Sequence, residues 1–243
     1  WMRFGGISDT CFNCAAGRKK LPMPMLLLAT EHNPNKGGTM SAIVDNPEAY
    51  FSQFVPSRDA FLMQLEQEAR RDAIPIVGPV VGELLFILAR VSGAKRILEL
   101  GTATGYSAIF LASACDDIDG VVVTLEQDAA MADKALKNFQ AAGLQKRIEL
   151  RICDALQELT HIDTVFDLIF MDIEKQDYQL ALQHFQNCLR KGGLLVADNV
   201  GFKDADGFNR AIAGQPDWRS VSLFSYLPHH SPEYDGICLA VRQ

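Results

Sequence analysis

An α/β fold, with a seven-stranded and mostly parallel sheet, is predicted by three features of the chain. Short apolar runs recur at residues 96–100, 121–125, 148–152, 166–171 and 194–197, as expected of strands buried on both faces. Helical patterns fill the gaps at 106–114, 129–142 and 178–189. This alternation implies right-handed crossovers and helices on both faces of the sheet. Near the C-terminus the pattern changes. Runs at 220–224 and 237–241 are joined by a Pro/His/Asp/Gly stretch rather than a helix, which predicts a terminal antiparallel pair.

The segments before the sheet read as a helical cover. Asn46 can cap a helix with Pro47 at its first position, and Ser57 can cap another running to about residue 71. In that second helix Phe61, Leu62, Leu65 and Ala69 recur at helical spacing, giving one apolar face. Ile74-Pro75-Ile76 breaks it, and a third helix spans 79–91 before Ser92-Gly93. Residues 1–39, rich in Gly, Pro, Asn and Lys, read as a disordered leader or extension, with Met40 as a start. Residues 40–243 then form one domain, with 40–94 as the cover and 95–243 as the core.

Composition narrows the class. Hydrophobic residues make up 48% and charged residues 22%, ordinary values for a globular chain. The net charge of −7 argues against nucleic acid as a default partner. No apolar run is long enough to cross a bilayer, and the expected location is cytoplasmic. Cys115, Cys153, Cys188 and Cys238 lie in or beside apolar segments and read as packed, reduced thiols. Cys11 and Cys14 form a lone CxxC with no second ligand pair, too few ligands for zinc.

The most informative stretch is Ile97-Leu98-Glu99-Leu100-Gly101-Thr102-Ala103-Thr104-Gly105-Tyr106-Ser107. An apolar strand runs into glycines and a helix begins at once. Backbone N–H groups and a helix N-terminus therefore sit at the carboxyl end of the first strand, where open α/β sheets bind ligands. The spacing is GxxxG, not the GxGxxG of a dinucleotide turn, which disfavours a nicotinamide dehydrogenase. The second strand ends at Glu126, placed to accept from ribose hydroxyls, with Asp128 just beyond. The third ends at Asp154, within reach of an adenine amine. Such acids also cap following helices, and both readings stand at this point.

These pieces, with Met171-Asp172-Ile173-Glu174-Lys175-Gln176-Asp177-Tyr178 and Gly192-Gly193-Leu194-Leu195-Val196-Ala197-Asp198-Asn199-Val200, resemble the catechol and caffeoyl-CoA class of cation-dependent O-methyltransferases and their small bacterial relatives. The resemblance runs from about Tyr50 to the C-terminus. It implies a Rossmann-like class I methyltransferase fold. It also implies an S-adenosylmethionine site at Glu99, Gly101, Thr102, Gly105, Tyr106, Ser107, Glu126, Asp154, Ala155, Asp172 and Tyr178.

The fourth strand ends in Asp172 and the fifth in Asp198-Asn199. Neighbouring parallel strands lie roughly 4.8 Å apart, so these side chains can converge at one edge. Two carboxylates and an amide oxygen suit Mg²⁺, or another divalent cation such as Mn²⁺ or Ca²⁺. Helix caps are the plainer reading of the same residues. Lys175 can turn back to that site and take a proton from an acceptor hydroxyl, although an isolated lysine at a helix start is usually solvated. The matching family motif has a catalytic lysine there. Asp172 and Lys175 are thus the catalytic candidates, and Asp172, Asp198 and Asn199 the metal candidates.

The chain departs from the family pattern in several places. Ile173 stands for the usual alanine, Glu174 precedes the lysine, and Cys153 replaces a glycine. The segment from Val200 to Gly207 is shorter than in many relatives, and His229-His230-Ser231-Pro232-Glu233-Tyr234 is expanded. His229 and His230, in a Pro-bounded polar loop, read as solvated. Phe202, Phe208 and Trp218 either line an acceptor pocket or pack under a loop. The expected acceptor is a small hydroxylated aromatic, and a homodimer is common among relatives. The alternatives are methylation of a hydroxylated uridine in tRNA and a non-catalytic S-adenosylmethionine-binding protein.

Overall fold

A computed structural model describes residues 42–243. The leader expected at 1–39 and the Cys11/Cys14 pair lie outside the described residues. Val44–Gln243 forms one compact unit.

The sheet contains β1 (Arg96–Leu100), β2 (Val121–Glu126), β3 (Ile148–Ile152), β4 (Phe166–Met171), β5 (Leu189–Ala197), β6 (Trp218–Tyr226) and β7 (Tyr234–Arg242). Their spatial order is β3-β2-β1-β4-β5-β7-β6. β7 runs antiparallel to both β5 and β6, so it alone opposes the rest. The predicted seven-stranded, mostly parallel sheet is therefore present. β5 begins five residues before the predicted start and continues through Gly192 and Gly193.

Around the sheet lie α1 (Pro47–Phe51), α2 (Ala60–Asp72), α3 (Gly78–Ser92), α4 (Tyr106–Cys115), α5 (Ala129–Ala141), α6 (Ala155–Leu159), α7 (Tyr178–Cys188) and α8 (Asp206–Gly214). Asn46 caps α1 as predicted, its side chain accepting from the Ala49 N–H. α2 is capped by Asp59 rather than Ser57, its side chain accepting from the Leu62 N–H. α6 and α8 were not predicted. α6 has only five residues, and Gly207 weakens the periodicity at the start of α8.

Strand alternation divides the core between two faces. Ile97, Val122, Leu168, Phe170 and Val196 pack with α3, α4 and α5. Leu98, Leu100, Val123, Ile169 and Met171 pack with α7 and α8 on the other side. Helices therefore cover both faces, and the carboxyl ends of β1, β2, β4 and β5 are left at one open edge. Among the described residues, no helix is long and apolar enough to cross a membrane.

Candidate active site

The register aligns the strand ends. Leu100 is level with Leu125 and Met171, and Met171 with Ala197. Main-chain bonds carry the ladder one residue further: the Gly101 N–H donates to Leu125 O at 3.1 Å, Asp172 N–H to Leu100 O at 2.9 Å, and Asp198 N–H to Met171 O at 3.1 Å. Gly101, Glu126, Asp172 and Asp198 consequently line one cavity along this edge.

The turn after β1 forms the cavity floor. Gly101 has φ +95°, and a Cβ added there would lie 2.1 Å from the carbonyl oxygen of Asp172, so only glycine lets β1 and β4 approach this closely. Thr102, Tyr106 and Ser107 line the cavity beside it, while Gly105 backs onto the Phe139 ring. Glu126 accepts the Ala103 N–H at 2.8 Å through one oxygen and the Asp128 N–H at 2.8 Å through the other. Asp154 caps α6 through the Gln157 N–H and, with Ala155, faces the same cavity. Asp128 caps α5. For Asp128 and Asp154, then, the capping role expected of strand-end acids is present in the structure.

Three predicted cofactor contacts are absent from the cavity lining: Gly105, which backs onto Phe139, and Glu99 and Tyr178, which lie beneath it. Glu99 is fully buried and is absent from the lining. Thr124 donates to its Oε2 and, with that proton committed, Thr102 donates to Thr124 at 2.6 Å. Oε1 has no hydrogen-bond partner among the described residues, and burial pushes the Glu99 carboxyl up to about 7. Tyr178 is also fully buried. Its hydroxyl shares its proton between the carbonyls of Asp198 (3.0 Å) and Met171 (3.3 Å), tying together the ends of β4 and β5. Both residues are placed to shape the edge from below.

The catalytic candidates converge as expected. Lys175 Nζ donates to Asp172 Oδ1 at 2.7 Å and to Ile173 O at 3.0 Å. Asp172 keeps 26% of its side chain exposed to the cavity. Its carboxyl is held above the ordinary value by burial first and by Asp198 second, with Lys175 opposing both. Asp198 is closed to bulk solvent, and its Oδ1 has no hydrogen-bond partner among the described residues. Asn199 adopts φ +51° and gives its Nδ2 to Asp235 Oδ2 at 2.6 Å, which leaves its amide oxygen available.

The reading of His230 as solvated is corrected. His229 is exposed, but the His230 side chain is 1% exposed, with Nε2 2.8 Å from Asp198 Oδ2 and Nδ1 2.6 Å from Pro232 O. Burial would lower its imidazole, but Asp198 outweighs that and holds it above the usual value. Nothing in the loop's local pattern marks this, because the contact joins residues 32 positions apart. Phe208 packs edge-on to Tyr178 and Trp218 is buried, so these aromatics belong to the core rather than to the cavity.

A further contact escaped sequence reading. Arg58 makes a bidentate pair with the buried Glu66 of α2, and the Tyr106 hydroxyl donates to Glu66 at 2.8 Å. The helical cover is thereby clasped to the first residue of α4. Tyr106 lines the cavity, but its hydroxyl points to the cover.

A glycine turn opening a helix, with acids at successive strand ends of a Rossmann-like sheet, defines a nucleoside-cofactor site with polar groups beside it. The O-methyltransferase family model matches residues 56–206, and the chain belongs to that family. It is 35% identical over 164 residues to a catechol O-methyltransferase of Niastella koreensis, spanning 65% of this chain and 74% of that protein. Among solved structures it is similar to the O-methyltransferase TomG from Streptomyces achromogenes, involved in tomaymycin synthesis and determined in complex with SAM. That match has a TM-score of 0.72 and 30% identity, over 81% of this chain and 95% of that one. An O-methyltransferase from Bacillus cereus in complex with SAH gives a TM-score of 0.72 and 31% identity, over 81% and 96%.

Proposed function

We propose that this chain transfers a methyl group from S-adenosylmethionine to a hydroxyl of a small catechol-like or phenolic acceptor, assisted by a divalent cation. The observation that carries this reading is one cavity lined both by the glycine turn and by Asp172, Lys175, Asp198 and Asn199. The names of the relatives and the SAM- and SAH-bound neighbours support the donor and the acceptor class.

The residues present fit both groups. Gly101 borders the cavity, and Glu126 and Asp154 stand beside it where the next two strands end, the positions a nucleoside needs. Among the described residues no group of three His, Cys, Asp or Glu side chains forms a ready cage. The candidate set is instead two carboxylates and one amide oxygen, and the unpartnered Asp198 Oδ1 is a buried acceptor in need of a positive partner. When bound, S-adenosylmethionine supplies an electrophilic methyl on sulfur, and a divalent cation held by Asp172, Asp198 and Asn199 would stabilise negative charge on the acceptor oxygen.

The protein's own part is to align and to move a proton. Lys175 Nζ, fixed at the mouth by Asp172 and Ile173 O, faces the acceptor hydroxyl and takes its proton. To accept that proton it must first part from Asp172 and release one of its own to water through its exposed side, so the 2.7 Å ion pair describes the resting site. The strand register puts the glycine turn and Asp172, Asp198 and Asn199 on one edge, which supports in-line attack by the oxygen on carbon. The test is methyl transfer from isotope-labelled S-adenosylmethionine to a catechol panel, with products resolved by mass. A labelled methyl ether on oxygen bears the reading out, and cofactor binding without any methylated product contradicts it.

A further inference from the structure

Asp198 divides its two oxygens unequally. Oδ2 is bonded to His230, while Oδ1 is buried without a partner among the described residues and lies beside the cavity. A carbonyl can only accept, so the His230 nitrogen 2.6 Å from Pro232 O carries a proton, and the ring orientation is set from behind. The backbone is fixed as well: His230 N–H donates to Leu227 O at 3.0 Å, Leu227 N–H to Glu233 O at 2.6 Å, and His229 N–H to Glu233 Oε1 at 3.0 Å. The imidazole cannot turn without losing both of its bonds. His230 borders the cavity, but its side chain is 1% exposed and both ring nitrogens are engaged, Nε2 with Asp198 and Nδ1 with Pro232 O.

The start of β7, with one carbonyl of the loop before it, holds the neighbouring donor. Asp235 Oδ2 and Ser231 O both accept from Asn199 Nδ2, at 2.6 and 3.4 Å. Asp172, just past the end of β4, is held separately, by Lys175.

We propose that His230 is a positioning residue of the cation site: it locks the Asp198 carboxylate so that Oδ1 is the oxygen presented to a divalent ion. This deepens the cation reading given above and rests on it. Groups that orient a ligating carboxylate typically change metal affinity when removed. On this account the expanded loop, a departure from the family pattern, aims Asp198 through His230, while Asn199 is aimed chiefly by Asp235 of β7.

The experiment is a Mn²⁺ titration of the full chain, with free Mn²⁺ read by electron paramagnetic resonance. The parallel readouts are S-adenosylhomocysteine affinity by calorimetry and the melting temperature. His230→Phe keeps the bulk without the donor, and is expected to weaken Mn²⁺ binding about ten- to a hundredfold with the other two readouts unchanged. His230→Gln restores an N–H and is expected to recover much of that affinity. Wild-type Mn²⁺ affinity in the Phe variant overturns the proposal. So does a Gln variant as weak as Phe, or a fall in S-adenosylhomocysteine affinity and melting temperature in step with the metal. Asp198→Asn separates the two levels. It loses Mn²⁺ if the cation reading holds, and if it binds Mn²⁺ like wild type that reading fails and the proposal falls with it.

Discussion

Lys175 Nζ lies 2.7 Å from Oδ1 of Asp172, three residues earlier in the chain, at the mouth of the cavity that the glycine turn floors. The pair joins the proposed proton acceptor to a proposed cation ligand, so replacing either residue disturbs a different function. Lys175→Met is expected to lower methyl transfer by roughly 10²–10⁴-fold, the usual range for loss of a general base. S-adenosylhomocysteine affinity, measured by calorimetry, should hardly change. Undiminished turnover would remove Lys175 from the mechanism.

Glu66 is the hub of the clasp between the cover and α4, taking two bonds from Arg58 and one from Tyr106. Burial would raise its carboxyl, but those bonds outweigh burial and hold it below the ordinary range. Its contribution to stability is therefore present above the unfolded value and is lost as pH falls through the folded one. Glu66→Gln leaves Arg58 half-paired and should cost about 3 kcal/mol, or roughly 6–12 °C in melting temperature. An unchanged melting temperature would show that the clasp is decorative.

Glu99 behaves in the opposite sense. Its folded value of about 7 lies above the ordinary 4.5, so the folded state binds more protons between those limits. Stability is full below about pH 4.5, is lost as pH rises through about 7, and stays reduced above it. Glu99→Gln should flatten that slope and gain on the order of 3 kcal/mol relative to wild type at pH 8. Urea denaturation at pH 5 and pH 8 provides the check, and a wild-type slope in the variant would contradict the assignment.

Gly101→Ala should be severe, because the new methyl would lie 2.1 Å from the Asp172 carbonyl at a φ of +95°. A loss of about 3 kcal/mol or more is expected, with S-adenosylhomocysteine binding abolished in whatever folds. Tight binding by this variant would mean that the turn is looser than the backbone implies.

Much of the edge was legible because periodicity and strand-end chemistry are local. β1, β3 and β4 have the predicted bounds, and Gly101, Asp172, Asp198 and Asn199 stand where a parallel sheet must put them. The start of β5 was hidden because Lys191-Gly192-Gly193 has turn composition, with Gly192 at φ +70°. His230 and Glu66 were hidden for another reason. Each acts on a residue 32 or 40 positions away, and a lone His or Glu carries no sign of such a partner. Tyr178 was placed on the right helix but given the cofactor, whereas its hydroxyl serves two main-chain carbonyls.

The central claim is cation-assisted methyl transfer at the Asp172, Asp198 and Asn199 edge. Its most direct test is S-adenosylhomocysteine release from S-adenosylmethionine with a catechol panel, in Mg²⁺ and in excess EDTA. Turnover in Mg²⁺ that EDTA abolishes, and that Asp172→Asn and Asp198→Asn also lose, is the predicted result. Equal turnover in EDTA, or wild-type turnover in both variants, would contradict it.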